Sequence, residues 1–232
     1  MKNKIKEFLK EEYVNGYKPF DYIFMFVLIL MQIITFYIYP DSPISIVAGI
    51  LGTIATVLCA KGKMTYYVYG FIQTFLFIII DWQSKLYIDT LEQCFYFLTM
   101  FYGVYCWKKN LNKTDEGSAE IVAKKMSLKA WILTIISITI LTIGIGFFGT
   151  KIGSQQAYTD AFSNVLALFA QFMCVMCYKE QWILWIILDI ADIKMYSVAG
   201  NPVLAVMYVG WTVNCIYGWY NWNKTIKNSK EQ

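Results

Sequence analysis

The sequence predicts an all-α integral membrane protein of eight transmembrane helices arranged 1+3+1+3, and three observations carry that expectation. The 232-residue chain is 58% hydrophobic and 16% charged, whereas a soluble domain is charged at about a quarter of its positions. The charges are clustered, and the apolar runs between them approach the length of roughly 20 residues that crosses a bilayer as a helix. Finally, a three-helix pattern recurs.

Residues 1–19 are polar and read as a cytoplasmic N-terminal segment, with Phe8, Leu9, Tyr13 and Val14 as one side of a short surface helix. An extra helix at 20–43 ends at Pro40-Asp41-Ser42-Pro43, which breaks it. The first three-helix unit (44–107) holds spans from Ile44 to Ala60, Met64 to Ile80 and Tyr87 to Trp107. A charged cytoplasmic loop (108–129) follows, then a linking helix (130–149) and a second unit (157–222) with spans from Tyr158 to Cys177, Gln181 to Tyr196 and Pro202 to Trp222. Residues 223–232 form a polar tail. The lysine-rich start lacks the pattern of a cleavable signal, so the first span is expected to be retained.

Lysines set the topology. All 20 basic residues are Lys, and with both termini inside only Lys85, Lys151 and Lys194 fall outside. This bias gives a multi-pass protein of the bacterial inner membrane with cytoplasmic N- and C-termini. Trp82, Trp107, Trp131, Trp219 and Trp222 near span ends are expected at the interfaces.

The recurrence is local and legible. Tyr102-Gly103-Val104-Tyr105-Cys106-Trp107-Lys108-Lys109 matches Tyr217-Gly218-Trp219-Tyr220-Asn221-Trp222-Asn223-Lys224. Upstream, Leu58 to Met64 resembles Met176 to Trp182, and the same offset aligns Ser45 with Ser163 and Val47 with Val165. The two offsets differ by three residues, which predicts one altered loop. Two parallel three-helix units are a transporter architecture, with the substrate between them near mid-membrane.

Several function classes drop out. Lysines scattered among loops do not make a nucleic-acid face. The absence of His removes the commonest metal ligand and proton shuttle. Cys174 and Cys177 form a CxxC pair without a second pair, so the six cysteines read as packing residues, with no metal and no cofactor. No Walker motif, G-x-S-x-G, catalytic group or nucleophile–base pair is present, so neither an enzyme nor direct ATP drive is expected. The sequons at Asn112 and Asn223 fall on the inside.

Ionisable groups within spans mark candidate sites because they are costly in lipid. Trp182, Trp185 and Asp189 share one helix face. Two indoles can stack on a flat ring and hold a cation, while the carboxylate accepts hydroxyl or amine donors. Gln93, Tyr96 and Met100 form a similar face beside Glu92, and Gln73, Gln171 and Asn214 are further amides. Each amide alone reads as helix–helix glue; converging, they resemble the few polar groups of a small-molecule pocket.

The stretch Glu180 to Asp189 resembles the W-x-x-W-x-x-x-N/D signature of the PnuC family of vitamin transporters, and the resemblance spans about Ile44 to Lys224. It implies a 3+1+3 core like a full-length version of the sugar-transporting SWEETs, plus an extra N-terminal helix. It also implies uptake of nicotinamide riboside by facilitated diffusion, with trapping by a cytosolic kinase. Trp182, Trp185 and Asp189 match the signature, and Gln93 and Tyr96 fit the equivalent helix; Gln171 and Asn214 join them as candidate substrate contacts only as amides within spans. Relatives carrying thiamine, riboflavin or deoxyribonucleosides keep the substrate open, as does a non-transporting receptor or scaffold. The lipid bilayer and a small-molecule substrate are the expected partners, and a homo-oligomer is compatible with the sequence.

Overall fold

Local chemistry sets the helix ends. The computed structural model describes residues 2–113, 117–151, 153 and 156–231. A surface helix, α1 (Lys2–Tyr13), leads to α2 (Pro19–Ile38), which has Pro in its first turn and the Asp21 carboxylate accepting the Lys18 N–H at 2.7 Å. Ser42 Oγ caps α3 (Pro43–Ala60) by accepting from Ser45 N–H at 3.2 Å. Next come α4 (Tyr66–Gln83) and α5 (Tyr87–Lys109), then strands β1 (Leu111–Lys113) and β2 (Ala119–Ile121). The chain continues through α6 (Leu128–Lys151), α7 (Ala157–Val175), α8 (Gln181–Val198) and α9 (Pro202–Glu231).

By length and composition, α2, α3 and α6 are apolar enough to cross a membrane. Most of α2 and α6 faces outward: Ile23, Phe26, Ile140 and Phe148 are each more than half exposed. Exposed apolar side chains in such density suit lipid rather than water. The other long helices mix apolar, aromatic and polar residues and turn their polar groups toward neighbours.

The runs α3–α5 and α7–α9 share boundaries at a shift of 115 positions: Ala60 with Val175, Tyr66 with Gln181, Gln83 with Val198, and Tyr87 with Pro202. The same shift relates the left-handed residues after successive helices, Gly62 (φ 69°) with Cys177 (φ 63°) and Lys85 (φ 60°) with Gly200 (φ 74°). Cys177 accepts a conformation that costs a non-glycine residue roughly 1 kcal/mol because its neighbours hold it there. This corrects the expected three-residue change of offset. Matching Cys59 with Cys177 aligns lysines, but the backbone pairs Cys59 with Cys174, since the turn's conformation and not its charge is what the two stretches share.

A buried seam joins the two runs where α5 packs on α7 and α9 packs on α3. Trp107 Nε1 donates to the Cys174 carbonyl at 3.0 Å, and Trp222 Nε1 donates to the Cys59 carbonyl at 2.9 Å. The thiols of Cys59 and Cys174 meet at 3.7 Å. Both indoles are fully buried, so the interfacial placement expected for Trp107 and Trp222 is corrected: an N–H aimed at a carbonyl across the seam outweighs a seat among headgroups. Trp82, by contrast, is exposed.

The loop at 108–129 departs from a purely helical fold. Its strands β1 and β2 pair antiparallel, with Leu111 opposite Ile121. Ile121 is fully buried, with its N–H on the Gly62 carbonyl at 3.0 Å. Loop backbone brought to a bundle's end must find partners for its polar groups, and the hairpin supplies them. Thr114 of the first sequon lies outside the described residues. The polar tail continues α9 as helix through Glu231.

Candidate functional site

Helix α8 carries the central candidates. Trp182 and Asp189 are buried and Trp185 partly so. Trp182 lies over Gly218 of α9, where an added Cβ would come within 2.5 Å of its ring. It is also edge-on to Trp222, with centroids 5.6 Å apart. Trp182 therefore forms part of the seam, whereas Trp185 bridges it: one side packs on the seam cluster and the other on the α6–α7–α8 cluster, against which Tyr96 also packs.

Asp189 accepts a weak bond from Cys215 Sγ at 3.4 Å. The ion pairs among the described residues are Lys61–Asp21 and Lys63–Glu120, so no lysine neutralises Asp189 there. Asn214, beside Cys215 on α9, is 1% exposed and its Oδ1 has no partner. Gln171 on α7 is buried with Nε2 unpartnered, and Gln93 on α5 leaves Oε1 unpartnered. The Trp182 Nε1–H is likewise unpartnered. A buried polar atom without a partner costs about 1–3 kcal/mol. Four of the eight such side-chain atoms among the described residues fall on sequence-selected positions, which makes them the part of the interior best suited to an added polar ligand.

The candidates do not all converge. Gln171 lies against the hydroxyl of Tyr66, which shares the buried seam cluster with Cys215. Tyr96 donates its hydroxyl to Glu92 one turn back, so this pair satisfies itself. Sequence reasoning missed Cys215 as the partner of Asp189, because a cysteine in an apolar run reads as packing. It also missed Tyr67 and Gln181, whose buried Oη and Nε2 are unpartnered. The shift of 115 pairs Tyr67 with Trp182, and each lies over a glycine, Gly103 and Gly218; that correspondence was the available signal.

Residues 42–224 match a family model described as nicotinamide mononucleotide transporter. A nicotinamide riboside transporter PnuC from Haemophilus influenzae is 31% identical over 95% of this chain and 97% of its own length. The Neisseria mucosa protein of the same name is 29% identical over 96% and 88%. A solved structure described as the vitamin B3 transporter PnuC superposes with a TM-score of 0.80 at 28% identity, covering 95% of this chain and 97% of the other.

Proposed function

The chain belongs to the nicotinamide mononucleotide transporter family, and from that premise we propose that it imports nicotinamide riboside across the bacterial inner membrane by facilitated diffusion. This is a family of transporters, not of enzymes. In this reading eight spans in a 1+3+1+3 order, both termini cytoplasmic, leave the path between two parallel three-helix units, one rocking against the other. Phosphorylation by a cytosolic kinase then traps the nucleoside as an anion.

One observation carries the reading of the site: Asp189 is buried with no lysine to neutralise it among the described residues, and on α9 the buried Asn214 Oδ1, next in sequence to the carboxylate's partner Cys215, lacks a partner. In this reading Trp185 stacks on the cationic pyridinium and Asp189 accepts from the ribose or amide, with Gln93 and Tyr96 approaching from α5. Trp182 and Gln171 act from the seam side. An uncompensated carboxylate favours a riboside cation over its phosphate ester, which brings negative charge, and the chain holds no Arg to receive a phosphate.

Calorimetric titration of the detergent-solubilised protein with nicotinamide riboside, thiamine and nicotinamide mononucleotide tests this. Saturable binding of the riboside, lost in Trp185→Ala, is expected. Binding of thiamine instead would replace the substrate and keep the carrier. Absence of binding by well-folded protein would favour a receptor or scaffold.

A further inference from the structure

Between β2 and α6 the chain crosses two helix turns at the same end of the bundle. On the first turn, the Gly62 carbonyl accepts the Ile121 N–H at 3.0 Å. On the second, the Cys177 carbonyl accepts the Lys124 N–H at 2.7 Å, and the Lys124 carbonyl accepts the Lys179 N–H at 3.0 Å. The Met126 N–H adds a bond to the Glu180 carboxylate at 3.2 Å. Gly62 and Cys177 are the left-handed positions related by the shift of 115, so one short segment grips corresponding carbonyls of both helix runs.

The two grips differ in strength. At the first, the fully buried Lys63 ammonium donates to the carbonyls of Glu11 and Asn15 at 3.0 and 3.3 Å, and to Ser118 Oγ. Glu120 lies 3.6 Å away. Burial holds this lysine below its usual range, against the pull of the Glu120 and Glu12 carboxylates. Glu12 accepts from both the N–H and the hydroxyl of Thr65, at 2.9 and 2.8 Å. The end of α1, the hairpin and the first turn therefore form one block. The second grip holds no buried charge of this kind: it rests on the two backbone bonds, the Glu180 contact and the Ala123 N–H on the Thr225 hydroxyl of α9 at 3.1 Å.

We propose that residues 121–126 are a strap that closes this end of the transport path, and that it opens by leaving the 177–180 turn and Thr225 while staying on the block around Lys63. Two helix units cannot part at one end while a single backbone segment is bonded to both, so this grip must break before substrate leaves there. The weaker grip breaks first. The strap's purpose rests on the transport reading above; its movement does not.

Two measurements test it. Hydrogen exchange resolved to single amides should show Lys124 and Lys179 exchanging together, at least tenfold faster than Ile121. A common rate for all three would overturn the proposal. In a Cys177→Ala background, Lys124→Cys with Tyr178→Cys places thiols across the parallel bridge between those residues. Oxidation of this variant in liposomes should cut riboside uptake at least tenfold, and reductant should restore it. Undiminished uptake by the cross-linked protein would also overturn the strap. If exchange splits as expected but the reduced protein takes up no riboside, the strap stands and the substrate reading fails.

Discussion

Gly218→Ala isolates the close approach of α8 and α9. The new Cβ would sit 2.5, 2.6 and 2.8 Å from three atoms of the Trp182 ring. Carbon atoms rest at about 3.5–4.0 Å, so the indole must retreat by roughly 1 Å. It has nowhere to go, being 2% exposed with Trp222 edge-on at 5.6 Å. Overpacking of this kind costs about 1–3 kcal/mol, while alanine in place of a helical glycine returns at most about 1 kcal/mol. A net loss of about 1–2 kcal/mol should lower the thermal midpoint by about 2–8 °C for a chain of this size. The control is Gly144→Ala on α6, where a Cβ meets nothing within 4 Å and the midpoint should hold or rise. Tryptophan fluorescence of the solubilised protein during heating reads both. Equal midpoints for the two variants would refute the argument that the glycine is required by Trp182.

Three further outcomes are expected. Asn214→Leu removes a buried amide whose Oδ1 has no partner, so the unfolding free energy should stay within about 1 kcal/mol of the parent while calorimetry shows riboside affinity weakened by about tenfold or more; loss of folding with affinity retained would contradict this. Trp107→Phe removes one of two bonds to the Cys174 carbonyl, which keeps the Cys177 N–H at 3.0 Å, and should cost about 0.5–1.5 kcal/mol in denaturation, and adding Trp222→Phe should cost less than the sum because the two rings lie 5.7 Å apart; strict additivity would deny the coupling. Burial pushes the Cys177 thiol from 9.0 up to about 12. The unfolded chain thus ionises first, and this group's contribution to stability falls as pH rises through that window. Cys177→Ala should lose less stability than the parent between pH 8 and pH 10.5, and equal losses would show that the thiol is not shielded.

Much of the helical plan was legible because lipid-length apolar runs are separated by clustered charge, as at Pro40-Asp41-Ser42-Pro43 and Lys108-Lys109. The recurrence was visible at the Tyr-Gly helix ends, where the glycine is demanded by a ring lying on it. It was misaligned at the preceding turn because Lys61 and Lys179 share a charge, whereas Gly62 and Cys177 share a backbone conformation that a cysteine does not advertise. Trp107 and Trp222 looked interfacial because their acceptors lie on helices distant in sequence. Within the site, the spacing of Trp182, Trp185 and Asp189 put them on one helix face, but spacing along one helix is silent about the next. Cys215 meeting Asp189, Trp182 sinking into the seam and Gln171 turning to Tyr66 all depend on how helices pack.

The crossed indole bonds bear on how this chain can change over generations. Trp107 reaches a carbonyl in the later helix run, and Trp222 reaches one in the earlier. Damage on one side of the seam therefore cannot be repaired by substitutions confined to that side, because the carbonyl that loses its indole bond belongs to the other. Two stretches free to drift apart in most positions stay tethered at this one, and their divergence should concentrate where they face lipid or ligand.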